Sequence, residues 1–387
     1  MSLPPPHEYV EPLSTSLRRG TPLVWVSPRN GEGGRRALLG WGEALRVEAH
    51  GPARFVELEA AFAAHAARHP GAHAFITATF SPDSATSSVL IVPEVLGRWE
   101  DGILQLEGEA PEPTPECTLE ELDLRPGDLT REGFRRAVAE ALERIEQGEV
   151  EKVVLARDLL ATGPEPIDLP GVLVRLAEAN PGAMVFHVDG MFGASPELLI
   201  RRRGHAIRSR VLAGSAPATG KPAEDEAHAA RLTASAKDVA EHEYAARSVA
   251  ERLETVASIA VAAPHVLRLP TIQHLATEIT GHLAEPHSAL ALAGLVHPSA
   301  AICGTPTDVA ARMIAELEGF DRGRYTGPVG WMSASGDGDF AIALRCGQLS
   351  DGGDSVRLYA GGGVVAGSVP SDELAETAQK FLPVYNA

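Results

Sequence analysis

The sequence predicts an α+β fold, and three observations carry that prediction. Short apolar runs typical of strands are interspersed with stretches whose apolar residues recur every three or four positions, as in helices. They do not follow the strict strand–helix–strand order of a doubly wound protein. Gly336-Asp337-Gly338 lies between two strand-like runs and reads as a hairpin turn between antiparallel neighbours. The chain has 387 residues, 44% hydrophobic and 22% charged, enough to bury a sizeable core without a disulfide or metal staple.

The elements follow in order. Residues 1–20 are rich in Pro and Ser and read as a loose arm, and the main body runs over 21–387. Phe55 to Arg68 reads as an Ala-rich helix, and His73 to Phe80 and Ser88 to Val92 as strands. Ala110 to Cys117, broken by Pro111, Pro113 and Pro115, is a linker or surface loop that closes a variable part, 21–117. The region 125–387 is more regular. Thr130 can cap a helix with Phe134, Val138, Leu142 and Ile145 on one face, stopped at Gly148. Lys152 to Leu160, Ala183 to Val188, Glu197 to Arg201 and Ala206 to Ala213 read as strands, with Phe192 to Pro196 a tight segment. Glu224 to Val256 is one long helix or two shorter ones, and Leu267 to His282 is strand-like. Thr305 reads as a cap before Pro306 and a helix over Val309 to Leu317. Gly330 to Ser333, Phe340 to Cys346 and Val356 to Ala360 read as strands, the last ending in Gly361-Gly362-Gly363. Ser371 reads as the cap of a final helix through Lys380.

Charge narrows the function. Lys plus Arg number 34 against 52 for Asp plus Glu, a formal charge of −18. Nucleic acid and anionic membranes both need a positive field, so neither is expected as a partner. A small anionic substrate remains compatible, because a few cations can invert the field inside one cleft. Cys117, Cys303 and Cys346 are too scattered for a disulfide framework or a zinc site and suit a reducing cytoplasm. No run reaches the roughly 18 to 20 apolar residues of a membrane helix. Met1 to Pro6 lacks the pattern of a secretory signal, so a cytoplasmic location is expected.

Four fragments could carry chemistry. Lys152 opens a strand among apolar neighbours, where desolvation favours the neutral amine and makes it a candidate base; a lysine with its head in water is the plainer reading of the fragment alone. Glu197 follows Ser195-Pro196 into an apolar run, where a carboxyl can keep its proton, or is simply a turn glutamate. Asp238 and Glu241 share a helix face and can hold a hard cation, or stand in water with an ion pair such as Lys237 to Glu241. Glu373 and Glu376 open the last helix, with Lys380 four residues after Glu376, a common surface pairing.

Read together, the fragments resemble one family. Lys152-Val-Val-Leu-Ala-Arg157, Phe192-Gly-Ala-Ser-Pro-Glu197, Leu212-Ala-Gly-Ser215, Ser235-Ala-Lys-Asp-Val-Ala-Glu-His242 and Gln273-His-Leu-Ala-Thr277 are similar to the chorismate-utilising enzymes. So are His297-Pro298, Tyr325-Thr-Gly-Pro-Val-Gly-Trp331, Leu344-Arg-Cys346, Ala360-Gly-Gly-Gly-Val-Val365 and Glu376-Thr-Ala-Gln-Lys380, all in family order. The family includes anthranilate synthase component I, aminodeoxychorismate synthase, salicylate synthase and isochorismate synthase.

The resemblance implies a single large domain of layered antiparallel sheets with outer helices, and chorismate held with Mg²⁺ in a cleft between sheets. It implies Glu241 and Glu376 as metal ligands, with Asp238 and Glu373 organising metal-bound water. Lys380 would face the ring carboxylate and not a surface glutamate. Arg345 and Tyr325, with the N–H groups of Gly361 and Gly363, would hold the enolpyruvyl carboxylate. Gly214, Ser215 and His274 would contact the ring. Lys152 would deprotonate an attacking water and Glu197 would protonate the departing hydroxyl.

Lys152, Leu212-Ala-Gly-Ser-Ala216 and His274-Leu-Ala-Thr277 are most similar to the isochorismate synthase branch, an isomerase activity whose product serves a siderophore, salicylate or menaquinone route. Salicylate synthase is the alternative, and anthranilate synthase component I stands third. The neutral Ala216-Pro-Ala-Thr219, where many members carry a basic residue, departs from the pattern and leaves that loop's ligand contacts open. No glutaminase subunit is expected, and with no exposed apolar stripe in the sequence the chain is expected to be a monomer.

Overall fold

Strands buried on both faces need cover on both sides, and Ser88–Val92 and Met184–Val188 are buried at every position. The computed structural model describes residues 7–28, 34–115 and 122–387, and supplies that cover with two facing antiparallel sheets and helices outside them. One sheet runs from the edge strand His7–Val10 through Ile103–Glu107, Val95–Glu100, Arg36–Trp41, Leu23–Val26, Met184–Val188, Met191–Ser195, Cys346–Leu349, Ser355–Val365 and Lys152–Thr162 to the short strand Gly304–Thr305. The other runs from Ala257–Val261 through Ile272–Leu283, Ala206–Pro217, Leu198–Arg203, Gly338–Ile342, Pro328–Ser333, His73–Thr77 and Ser88–Val92 to Leu45–Ala49. The protein is therefore α+β.

Three apolar clusters lie in and around these layers. Trp25, Phe75, Phe186 and Val329 fill the space between the sheets. Leu58, Phe62, Phe134 and Leu292 belong to a second cluster under the helices Arg54–Ala66, Arg131–Glu146 and Ala289–Val296. Leu173, Leu176 and Phe381 belong to a third, under Leu169–Ala179 and Pro370–Tyr385. Each such side chain contributes roughly 1.5 to 3 kcal/mol on leaving water.

Two passages of chain matter most for the site. After Ser195 the chain leaves the first sheet and enters the second at Leu198, with Pro196 and Glu197 in the gap. After Ile342 it returns, entering the first sheet at Cys346, with Ala343 to Arg345 in the gap. The passages touch where the Ala194 N–H donates to the Arg345 carbonyl at 3.1 Å. The run Phe340 to Cys346, expected as one strand, is thus two strand ends in different sheets. Arg345 makes the turn with φ +49°.

Several expectations need correction. Residues 7–20 are not a loose arm: His7–Val10 pairs antiparallel with Ile103–Leu106, Leu13–Leu17 is helical, and Leu17 is buried. Edge pairing is a backbone event that Pro- and Ser-rich composition does not reveal. Met191–Ser195 is a strand paired on both sides, not a tight turn. Thr305 lies in a two-residue strand and Pro306 takes the cap position before Thr307–Glu318. Val369, not Ser371, stands at the N-cap position of Pro370–Tyr385, and no side chain caps that helix. Gly361 to Gly363 continue the strand Ser355–Val365 and do not end it. The long helical run divides into Pro222–Ala234 and Ala236–Glu254 because Ser235 turns to cap the second, accepting from the Asp238 N–H at 3.2 Å. Likewise Leu267 to His282 divides into His265–Arg268 and Ile272–Leu283. The Thr130 cap is as expected, accepting from the Gly133 N–H at 3.1 Å. Cys117 lies outside the described residues.

Candidate active site

The gap at the two passages is a cleft lined by Glu197, Gly214, Ser215, Glu241, His274, Tyr325, Arg345, Gly361, Gly363 and Lys380. Ten of the fourteen residues singled out in the sequence thus share one cavity. The other four stand behind its lining: Lys152, Asp238, Glu373 and Glu376.

Glu197 is 3% exposed. Among the described residues its carboxylate receives only the Leu212 N–H, at 3.3 Å. Burial pushes its pKa up to about 8, and neither that N–H nor Lys152 and Arg345 offset it. The group therefore holds its proton at neutral pH. Lys152 is 0% exposed; among the described residues its Nζ has no hydrogen-bond partner, and its one ion pair is with Glu241 Oε1 at 3.3 Å.

Gly214 builds the ring-side wall. The pairing of Ala206–Pro217 with Ile272–Leu283 slips between Ala213 and Ser215, where Gly214 takes φ +70°. The bulge sets Ser215 opposite His274, with Oγ 3.1 Å from Nδ1. Arg345 donates to His274 Nε2 at 3.1 Å. A guanidinium only donates, so Nε2 is bare and the ring proton sits on Nδ1, facing Ser215 and the Gly214 carbonyl at 3.2 Å. Burial, reinforced by Arg345 and Lys380, depresses the His274 pKa to about 3, so the ring is neutral.

The glycine strand forms the opposite wall. The Val154 N–H donates to Cys303 and the Ala156 N–H to Glu318, so neither bonds to its register partner, Gly363 or Gly361. In antiparallel pairing those two glycines must then turn their own polar groups away from that strand. They turn toward the side where Cys346–Leu349 has already ended, opposite Tyr359. Lys380 Nζ donates to the Gly361 carbonyl at 2.8 Å on that side. Tyr325 is 3% exposed and stacks on Tyr359 at 4.8 Å, and its Oη would lie 3.1 Å from a methyl at Gly361.

The acids gather around the next glycines. A methyl at Gly363 would collide with Glu241 Oε1, and one at Gly362 would lie 3.3 Å from Glu373 Oε2 and 3.8 Å from Glu376 Oε1. Among the described residues no set of three or more His, Cys, Asp or Glu side chains has metal-holding geometry. Each glutamate leans on a lysine instead: Glu241 on Lys152, Glu376 on Lys380 at 2.6 Å, and Glu373 on Lys237 at 2.6 Å. Lys380 thus meets Glu376 after all, inside the cleft and not on the surface. The site nonetheless fits a hard divalent cation. The donors are carboxylate oxygens, glycines leave room beside them, and Glu373 Oε2 is buried with no hydrogen-bond partner among the described residues. Asp238 backs Gly214, its Cβ 3.1 Å from where a methyl would stand.

The sequence reading missed Thr326, Ala301 and Ile302, which line the cleft, and the buried pair Glu318–Arg322 behind it. Nothing in their residue types signals chemistry. Thr326 is recognisable only by its backbone, held at φ +61° although β-branched.

A gap between two antiparallel sheets that sets one protonated carboxyl, one sequestered amine and an arginine–lysine pair around a small volume defines a binding cleft for a small anion. Comparison with known proteins places it further. Residues 71–387 match the family model described as chorismate binding enzyme, and the chain belongs to that family. It is 40% identical over 319 residues to the isochorismate synthase DhbC of Bacillus subtilis (strain 168), covering 79% of this chain and 78% of that one. It is 37% identical over 343 residues to a putative isochorismate synthase MenF of Mycobacterium tuberculosis (strain ATCC 25618 / H37Rv), covering 84% and 89%. The crystal structure of a putative 2,3-dihydroxybenzoate-specific isochorismate synthase, DhbC from Bacillus anthracis, superposes with a TM-score of 0.83 at 32% identity, covering 97% of this chain and 99% of that one.

Proposed function

We propose that the protein is an isochorismate synthase, an isomerase that adds water to the ring of chorismate beside the carboxylate-bearing carbon and expels the ring hydroxyl. The observation that carries this reading is the placement of Glu197: a buried carboxyl, its pKa pushed up to about 8, lines the cleft, and the fully buried Lys152 stands just behind that lining. Lys152 takes the proton of the attacking water. Glu197 gives its proton to the leaving hydroxyl, and two double bonds migrate between those events. Arg345, fixed by the neutral His274, and Tyr325 receive the enolpyruvyl carboxylate with the N–H groups of Gly361 and Gly363. Lys380 leaves Glu376 for the ring carboxylate. Gly214, Ser215 and His274 bound the ring's edge.

Glu241 and Glu376 would hold Mg²⁺ in this reading, supported by Asp238 and Glu373, and the bound ion would supply charge neutralisation for the ring carboxylate. Water as nucleophile needs no ammonia-delivering subunit.

Pure protein incubated with chorismate and Mg²⁺ is expected to form isochorismate, resolved by chromatography. Fluorescent salicylate with pyruvate as the sole products, or anthranilate formed only with ammonium, would overturn the assignment. Glu241→Gln is expected to weaken the Mg²⁺ dependence and the rate together, and an unchanged metal titration would remove Glu241 as a ligand.

A further inference from the structure

Of the three lysines that pair with glutamates around this cleft, the proposed chemistry employs two. Lys152 works on water and Lys380 on the substrate, while Lys237 has no part. Yet Lys237 does not pair with Glu241 along its own helix, as the spacing allows. It reaches the Pro370–Tyr385 helix and meets Glu373 Oε1 at 2.6 Å, its side chain 31% exposed and that of Glu373 only 2%. Its ammonium also lies in the field of Glu241 and Glu376, so the three carboxylates share this cation.

Carboxylates shut away from water repel one another strongly. Glu373 feels this directly: burial and the neighbouring Glu376 raise its pKa, and Lys237 opposes both. A divalent ion would offset the same repulsion. Cation and ammonium therefore answer one demand, and each makes the other less necessary.

We propose that Lys237 is an internal counter-ion of the metal centre. It holds Glu373 and its neighbours together while no divalent ion is bound, and it opposes the ion when one arrives, so it sets the affinity of the site. The inference rests on the assignment of Glu241 and Glu376 as ligands. Lys237 is a positioning residue here, not a catalytic one. Its presence stabilises the metal-free fold at the expense of metal affinity, so removing it moves the two properties in opposite directions.

The test uses the full chain stripped with a chelator, Mn²⁺ as the probe followed by calorimetry or electron paramagnetic resonance, and thermal midpoints with and without Mg²⁺. Lys237→Gln is expected to bind Mn²⁺ about tenfold tighter than the parent, because a positive charge next to the site is gone. Its midpoint is expected to fall in chelator and to return to the parental value at saturating Mg²⁺. Lys237→Arg, which keeps the charge, is expected to retain parental affinity and midpoint. Unchanged or weaker Mn²⁺ binding by Lys237→Gln overturns the proposal, as does a midpoint loss that is equal with and without Mg²⁺. Should Lys237→Gln refold only when Mg²⁺ is present, the proposal stands; refolding in neither condition overturns it. Failure of the ligand assignment shows elsewhere, as a parent that binds no Mn²⁺ or a Glu241→Gln variant that binds it as the parent does.

Discussion

Glu197 and Glu318 are equally hidden, at 3% exposure each, on two sides of the strand that begins at Lys152. Their surroundings differ in one respect. Glu197 faces the cleft with a single long N–H bond, whereas Glu318 receives the Ala156 N–H at 2.7 Å and both arms of Arg322, at 2.5 and 2.9 Å. Arg322 in turn donates to the carbonyls of Ile302 and Val154 and lies over the rings of Phe80 and Tyr325. Burial raises the pKa of both carboxyls; the Leu212 N–H, Lys152 and Arg345 oppose it at Glu197, and Arg322 and the Ala156 N–H oppose it at Glu318, which alone is held by a direct guanidinium fork. Burial therefore does not decide what a carboxyl does. A buried carboxyl that faces a cleft with one long N–H bond is placed to pass on a proton, and one gripped by both arms of a guanidinium is placed to fasten the cleft wall to its support.

The comparison breaks most sharply at the reacting groups. Glu197→Gln is expected to lower kcat by about a thousandfold while the protein stays folded, since the amide keeps the shape but has no acidic proton. A kcat within tenfold of the parent would remove Glu197 as the acid. Lys152→Ala is expected to lose turnover to a similar degree, by about a thousandfold, while chorismate is still retained in equilibrium dialysis. Retained activity at neutral pH would exclude Lys152 as the base.

Glu318→Gln tests the other glutamate. It leaves Arg322 buried without its counter-charge and is expected to destabilise the fold by about 3 to 5 kcal/mol in denaturant titration. A midpoint equal to the parental one would show that the pair holds nothing.

The pH dependence sharpens the contrast further. Native Glu197 keeps its proton to about pH 8, against an ordinary value of 4.5. The native state therefore binds more protons than the unfolded chain between those values, and stability falls as pH rises through that window. Unfolding followed from pH 5 to 8.5 is expected to show the parent losing a few kcal/mol relative to Glu197→Gln, at about 1.4 kcal/mol for each pH step of one within the window. Parallel curves would refute the raised value. The smallest effect belongs to a control at a residue that lines no part of the cleft. Thr130→Ala removes a helix cap and is expected to cost about 1 kcal/mol, with the pH profile of activity unmoved. A displaced profile would mean that stability alone shifts the catalytic groups.

Much of this protein was legible in the chain itself. Residue types, their spacing and their order identified the mixed helix-and-strand class, the Thr130 cap and the Gly336-Asp337-Gly338 hairpin, and the resemblance of the ordered motifs to a known family pointed to the fourteen residues, which the structure gathers at or just behind one cleft. These features are local: a cap or a turn depends on neighbours within a few positions, and a motif carries its residues with it. The passage of Pro196–Glu197 and of Ala343–Arg345 between sheets was not legible, because strand text reads the same whichever sheet it joins. Nor was the ordered His7–Val10 edge, whose pairing uses backbone groups that every sequence has.

Tertiary structure alone decided the charges. It left Glu197 with one N–H and gave Glu318 an arginine, it turned Lys237 from its own helix to Glu373, and it made Arg345 fix the tautomer of His274. Desolvation and ion pairing act over a few ångströms in space between residues that can be more than a hundred positions apart, so no local reading of the sequence can weigh them.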